Sequence, residues 1–170
     1  MPVVLGLDPG TRHFGWGLVE RRGTRLTHIA HGIVHTDERT SIAERLVVIE
    51  RALVEVLAAH GPDEASVESL FFAKDAQAAA KLGHARGVAL LVCARAGLPV
   101  YEYAPALVKR AVAGSGRAEK TQVAQMVRVV LALPVVPAAD AGDALAVAVT
   151  HLMRVPALVA AAARGARGRA

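Results

Sequence analysis

Three strand-like segments stand in succession before the first helical one, and that order restricts the chain to few architectures. PVVLGLD is a continuous apolar run ended by Asp8-Pro9-Gly10, and HFGWGLVE and RLTHIAHGIVHT follow it with glycine-containing links. Consecutive strands joined by short connections fold back on one another, so the segment ending at Thr36 predicts an antiparallel meander. The pattern then changes. Ser41 with Glu44 three positions on is a capping-box signature, and Ile42, Leu46, Ile49, Leu53 and Leu57 repeat at helical spacing until Gly61-Pro62. ASVESLFF reads as a fourth strand, DAQAAAKLGHARGVALLVCARAG as an Ala-rich helix ended by Gly97, and PVYEYA as a fifth strand. Helices are predicted over residues 105–113, 119–132 and 139–154. Strands separated by helices pair in parallel, so the chain reads as α/β: a five-stranded mixed sheet, three antiparallel strands then parallel strands, flanked by helices.

A chain of 170 residues, 54% hydrophobic, can bury one good core, and nothing in it suggests a division in two. One domain over residues 1–154 is expected, followed by an Ala/Arg/Gly tail, 155–170, expected to be disordered. No run of ~18 uncharged apolar residues suggests a membrane span, and MPVVLGLDPG lacks the basic start of a secretion signal, so a soluble cytoplasmic protein with no membrane partner is expected. The single Cys93 in GVALLVCARAG reads as a small buried hydrophobe. Of the formal charge of +5, the four arginines after residue 153 contribute +4, so net charge says little about the folded part. The stretch from Arg86 to Arg128 is more informative: Arg86, Arg95, Lys109, Arg110, Arg117, Lys120 and Arg128 face only Glu102 and Glu119, which predicts a local basic surface.

Four acids lie inside or beside apolar sequence: Asp8 at the end of the first strand, Glu68 in the fourth, and Asp140 and Asp143 one helical turn apart in PAADAGDALAVAV. Carboxylates at the edges of core elements call for a shared counter-charge, and a hard divalent cation prefers oxygen ligands. Each acid also has a structural explanation by itself. Asp-Pro-Gly is a turn signal, Glu68 could face outward from an alternating strand, and the aspartate pair could cap a helix. The metal reading rests on the set, and on the first and fourth strands being neighbours.

Four collinear blocks carry a resemblance that is far more specific. LGLDPGTRHFGWGLV, VESLFFAKDAQAAAKLGHARG, YEYAPALVKRAVAGSGRAEKTQVAQMVR and AADAGDALAVAVTH together resemble the bacterial RuvC Holliday-junction resolvases, from about residue 3 to about residue 152. The resemblance implies an RNase H-like fold and an endonuclease that resolves four-way DNA junctions, in recombination and repair, by paired nicks in opposing strands. It implies two Mg²⁺ ions per active site held by Asp8, Glu68, Asp140 and Asp143, with Mn²⁺ as the alternative because some relatives carry histidine where Asp140 stands. It further implies that Lys109 and Lys120 act beside the scissile phosphate, that Arg110 and Arg117 join them on DNA, and that Phe71 stacks on a base, with Phe72 left as core or DNA-facing. A homodimer is implied too, with the helix over 75–97 as a candidate interface, and so are the branch-migration partners RuvA and RuvB. Two alternatives share the general fold: a RuvC-like nuclease that processes ribosomal RNA, and an actin or sugar-kinase type of ATP-binding protein, suggested by Asp8-Pro9-Gly10-Thr11 but opposed by the chain's length.

Overall fold

The computed structural model describes the backbone over residues 2–69 and 76–167 and side chains over 2–69, 79–80 and 82–154. Five strands, β1 (Val3–Asp8), β2 (His13–Arg22), β3 (Arg25–His35), β4 (Glu64–Glu68) and β5 (Val100–Tyr103), form one sheet in the order β3-β2-β1-β4-β5. β1, β2 and β3 are antiparallel, while β4 runs parallel to β1 and β5 parallel to β4. The described helices are α1 (Ile42–His60), α2 (Ala76–Arg95), α3 (Pro105–Ala113), α4 (Lys120–Val130) and α5 (Ala139–Arg167). This is the mixed, helix-flanked sheet that the order of segments predicts.

Local signals account for the element ends. Ser41 and Glu44 form both halves of the capping box of α1, and Gly61 closes that helix in the left-handed conformation at φ 52°. The last helix departs from expectation. The sequence predicts it over residues 139–154, whereas α5 runs from Ala139 to Arg167, through an Ala-rich stretch whose helix propensity outweighs one proline. Pro156 has no N–H for the carbonyl four residues back. Arg21 Nη1, from β2, donates instead to that Leu152 carbonyl at 2.6 Å.

Strand periodicity splits the core into two layers. Leu5 and Leu7 of β1 and Ala65 and Val67 of β4 face α1 and α2, where they meet Ile49, Leu53 and Ala89. Cys93 is buried in this layer, as its apolar neighbours predict, and burial pushes its thiol up to about 11. The alternate residues of the same strands face the other way. Val4, Val19 and Tyr103 pack against Leu145, Ala148 and Leu152 of α5, with Val108 of α3 and Val123 of α4 closing that side.

Three glycines let α5 lie directly on the sheet. Gly6 and Gly17 are register partners on β1 and β2, and Gly15 is the partner of Asp8. A Cβ on Gly6 would run into the Ala144 carbonyl oxygen, and one on Gly15 into that of Asp140. One on Gly17 would stand 2.6 Å from Leu145 Cδ2. The alternation of Gly15 and Gly17 in HFGWGLVE is the sequence sign of close backbone approach on one strand face.

Candidate active site

The two-residue strand period that builds the core also aims the first two acids. Val4, Gly6 and Asp8 face α5, and so do Glu64, Ser66 and Glu68, because Ala65 and Val67 face the other layer. The register pairs Leu7 with Val67, so Asp8 and Glu68 follow side by side at the carboxyl ends of two parallel strands. That end of a parallel pair is where open α/β sheets place their ligands. The turn after Asp8 is held from α1: Arg45 donates to the Thr11 carbonyl from Nε at 3.0 Å and to Thr36 Oγ1 at 3.0 Å.

α5 and its neighbours supply the opposite wall. Asp143, Ala146 and Val147 of α5, Pro105, Val108 and Lys109 of α3, and Lys120 and Val123 of α4 enclose one pocket with Asp8 and Glu68. Lys120 Nζ lies 3.1 Å from Asp143 Oδ2, so Asp143 takes a hydrogen bond from across the pocket. Asp140, one turn earlier, is outside the pocket wall, yet close enough for its charge to act on Asp8. The structure therefore gathers Asp8, Glu68, Asp143, Lys109 and Lys120 and sets Asp140 beside them. Arg110 and Arg117 are exposed and outside the pocket. Phe71 and Phe72 lie outside the described residues.

The electrostatics record how crowded the acids are. Asp8 is pushed up to about 7, first by burial and then by Asp143, Asp140 and Glu68, with Lys120 opposing. Glu68 is raised by burial and by Asp143, and lowered by Lys120 and Lys109. Lys120 is held above its ordinary value chiefly by Asp143, with Asp8 and Glu68 adding to the effect. Among the described residues no three His, Cys, Asp or Glu side chains converge tightly enough to grip an ion as they stand. The donor set nevertheless suits one: these are oxygen ligands that repel one another, and of the two lysines that reach the pocket, the one bonded to Asp143 is 81% exposed. An added divalent charge would relieve the same repulsion that raises Asp8.

Sequence reasoning found the acids and lysines and missed what holds them. Arg86, counted with the basic surface, is buried: Nη1 donates to the Glu68 carbonyl at 2.6 Å and Nη2 meets Glu102 Oε2 at 2.7 Å. Arg95 is likewise engaged, 3.3 Å from Glu50 of α1. Further along α5 the buried His151 joins Tyr103 Oη at 2.6 Å and Glu64 Oε2 at 2.6 Å, tying that helix to β5 and β4. No periodicity distinguishes such an arginine or histidine from a surface one. None of the described helices is long and apolar enough to cross a membrane.

The chain is similar to known proteins over most of its length. A family model described as crossover junction endodeoxyribonuclease RuvC matches residues 4–151. The RuvC protein of Sorangium cellulosum is 60% identical over 163 residues, covering 96% of this chain and 91% of that protein. That of Methylorubrum populi is 55% identical over 148 residues, covering 87% and 78%. Among solved structures, the RuvC of T. thermophilus in complex with a Holliday junction substrate superposes with a TM-score of 0.85 at 39% identity, covering 89% of this chain and 93% of that one.

Proposed function

The chain belongs to the RuvC family of crossover junction endodeoxyribonucleases, and on that footing we propose that it resolves four-way DNA junctions by paired nicks in opposing strands. The observation that carries the reading is the meeting of Asp8 and Glu68, on parallel strand ends, with Asp143 and two lysines in one pocket. Nothing in the matched family or relatives supports the ribosomal-RNA nuclease or the ATP-binding alternative.

Asp8, Glu68, Asp140 and Asp143 are the residues to hold Mg²⁺, with two ions as the working number and Mn²⁺ as a substitute. Bound there, divalent ions would acidify the attacking water and neutralise charge on the leaving oxygen. Every other task falls to the protein. Asp8 gives up its proton to become a ligand, and its raised pKa makes that step sensitive to pH near neutrality. Lys109 and Lys120 reach the same pocket from separate helices and clamp the scissile phosphate, offsetting the charge that grows on it. Arg110 and Arg117, exposed beside them, extend the contact along the DNA backbone. Phe71 stacks on an unpaired base, an interaction of ~1–3 kcal/mol that any base can make. Nuclease chemistry resides in residues 1–154.

A four-way junction has approximate two-fold symmetry, which a homodimer matches with two identical sites. The exposed Leu82 and Leu91 of α2 favour that helix as part of the dimer contact. RuvA and RuvB are the expected partners in branch migration, and the cytoplasm the expected compartment.

The test is direct. A synthetic mobile junction, plain duplex and single strand are each incubated with the protein in Mg²⁺ or in EDTA. Paired nicks confined to the junction and dependent on metal are expected. Equal cutting of duplex, or cutting in EDTA, would refute the proposal.

A further inference from the structure

Arg86 has no part in the mechanism above, yet it is placed to control one of the acids. Its side chain is 8% exposed, and it projects from α2 beneath the ends of β4 and β5. A buried guanidinium needs an anion, and Glu102 of β5 provides it at 2.7 Å. The other bond goes to main chain. Nη1 donates at 2.6 Å to the carbonyl of Glu68, the strand residue whose carboxylate faces Asp8 and Asp143.

Ladder geometry explains why that carbonyl needs a donor. The Ser69 N–H points to β5, where it donates to the Tyr103 carbonyl at 2.8 Å. In a trans peptide the C=O points opposite to the following N–H, so the Glu68 carbonyl is directed toward the β1 side. There the ladder has already ended, because its last rung pairs Leu7 with Val67. A carbonyl past the last rung has no sheet partner, and an unmet buried acceptor costs about 1–3 kcal/mol. Arg86 meets it, and in doing so fixes the peptide from which the Glu68 side chain leaves. The charges that act on the Glu68 carboxyl are those of Asp143, Lys120 and Lys109, so the influence of Arg86 is one of placement.

We infer that Arg86 is a positioning residue, holding the last peptide of β4 so that the Glu68 carboxylate stays aimed into the metal site. The inference rests on the metal-dependent reading above. Two variants of the full chain separate placement from general stability. Arg86→Met removes both bonds, whereas Glu102→Gln leaves the Glu68 bond in place and weakens only the ion pair. Both should lower the melting temperature.

Four quantities are measured for each: the melting temperature in EDTA, its rise with added Mn²⁺, junction affinity in EDTA, and the Mg²⁺ concentration giving half-maximal cleavage. Arg86→Met should bind the junction as tightly as wild type, yet lose most of the Mn²⁺-induced rise and need about 10–100-fold more Mg²⁺. Glu102→Gln should keep both metal responses. If Arg86→Met keeps the wild-type metal responses, or if the two variants lose them in parallel with stability, the inference is overturned. Should Arg86→Met not fold, Arg86→Gln is read in the same way, its shorter neutral amide being unable to span both partners. A wild-type protein without any Mn²⁺-induced rise would instead remove the metal reading itself, an outcome distinct from either.

Discussion

At the scale of single residues, Asp8 joins stability to chemistry. Burial and the neighbouring acids push its carboxyl up to about 7 in the folded, metal-free protein, whereas the unfolded chain releases the proton near the ordinary value of 3.8. The folded state therefore binds the extra proton between those values, so metal-free stability falls as pH rises from about 4 to about 7 and levels off above that. Asp8→Asn should remove this slope and raise stability in EDTA at pH 8 by about 1–2 kcal/mol, once solvent screening at the open pocket is counted. Thermal melts at pH 5 and pH 8 check the sign. The same variant should be inactive in cleavage while still binding junctions, since backbone contacts carry most of the affinity. Lys120→Met should slow cleavage about 100-fold and reduce the slope of log Kd against log salt by about one, as loss of one phosphate contact requires. A variant with the wild-type rate would place Lys120 with the solvated lysines. The acids could be singled out in the sequence because a set of carboxylates in apolar surroundings is an anomaly that local context exposes, whereas Lys120 was marked only by the family resemblance. Arg86 was not, because an arginine declares its burial only through partners distant in sequence, here Glu68 and Glu102.

Between elements, the decisive contact is α5 against β1 and β2. Gly6→Ala would press a methyl group on the Ala144 carbonyl oxygen, which is backbone and cannot yield as a side chain would. Overpacking of this kind costs about 1–3 kcal/mol. Because α5 also carries Asp140 and Asp143, the substitution should weaken the response to metal as well as the melting temperature, and Mn²⁺ titration followed by melting would reveal both. Tyr103→Phe makes the contrasting case. It removes the bond to His151, well along α5 from Asp143, so a stability loss of about 1–3 kcal/mol with an unchanged Mg²⁺ requirement is expected. Strand order, capping box and sheet class could be read from the chain, since each rests on local spacing. The continuation of α5 to Arg167 could not: a proline ordinarily ends a helix, and the Arg21 donor that satisfies the orphaned Leu152 carbonyl comes from the second strand.

For the whole molecule, two symmetric cuts need two sites. Sedimentation should give twice the protomer mass, and mixed dimers of wild type with Asp8→Asn should nick one strand of a junction without its opposite. Paired products from mixed dimers purified free of either homodimer would refute the dimeric mechanism. The covering of β1 and β2 by α5 has a different consequence, one of timing. Asp8 and the three strands of the meander leave the ribosome well before Asp140 and Asp143, which stand on the helix that also closes one face of the sheet. Until α5 follows, that face, with Val4 and Val19, has no helix to cover it. A chain interrupted before Ala139 lacks Asp140, Asp143 and the helix that closes the pocket, so on the reading proposed above it should show no metal-dependent cleavage.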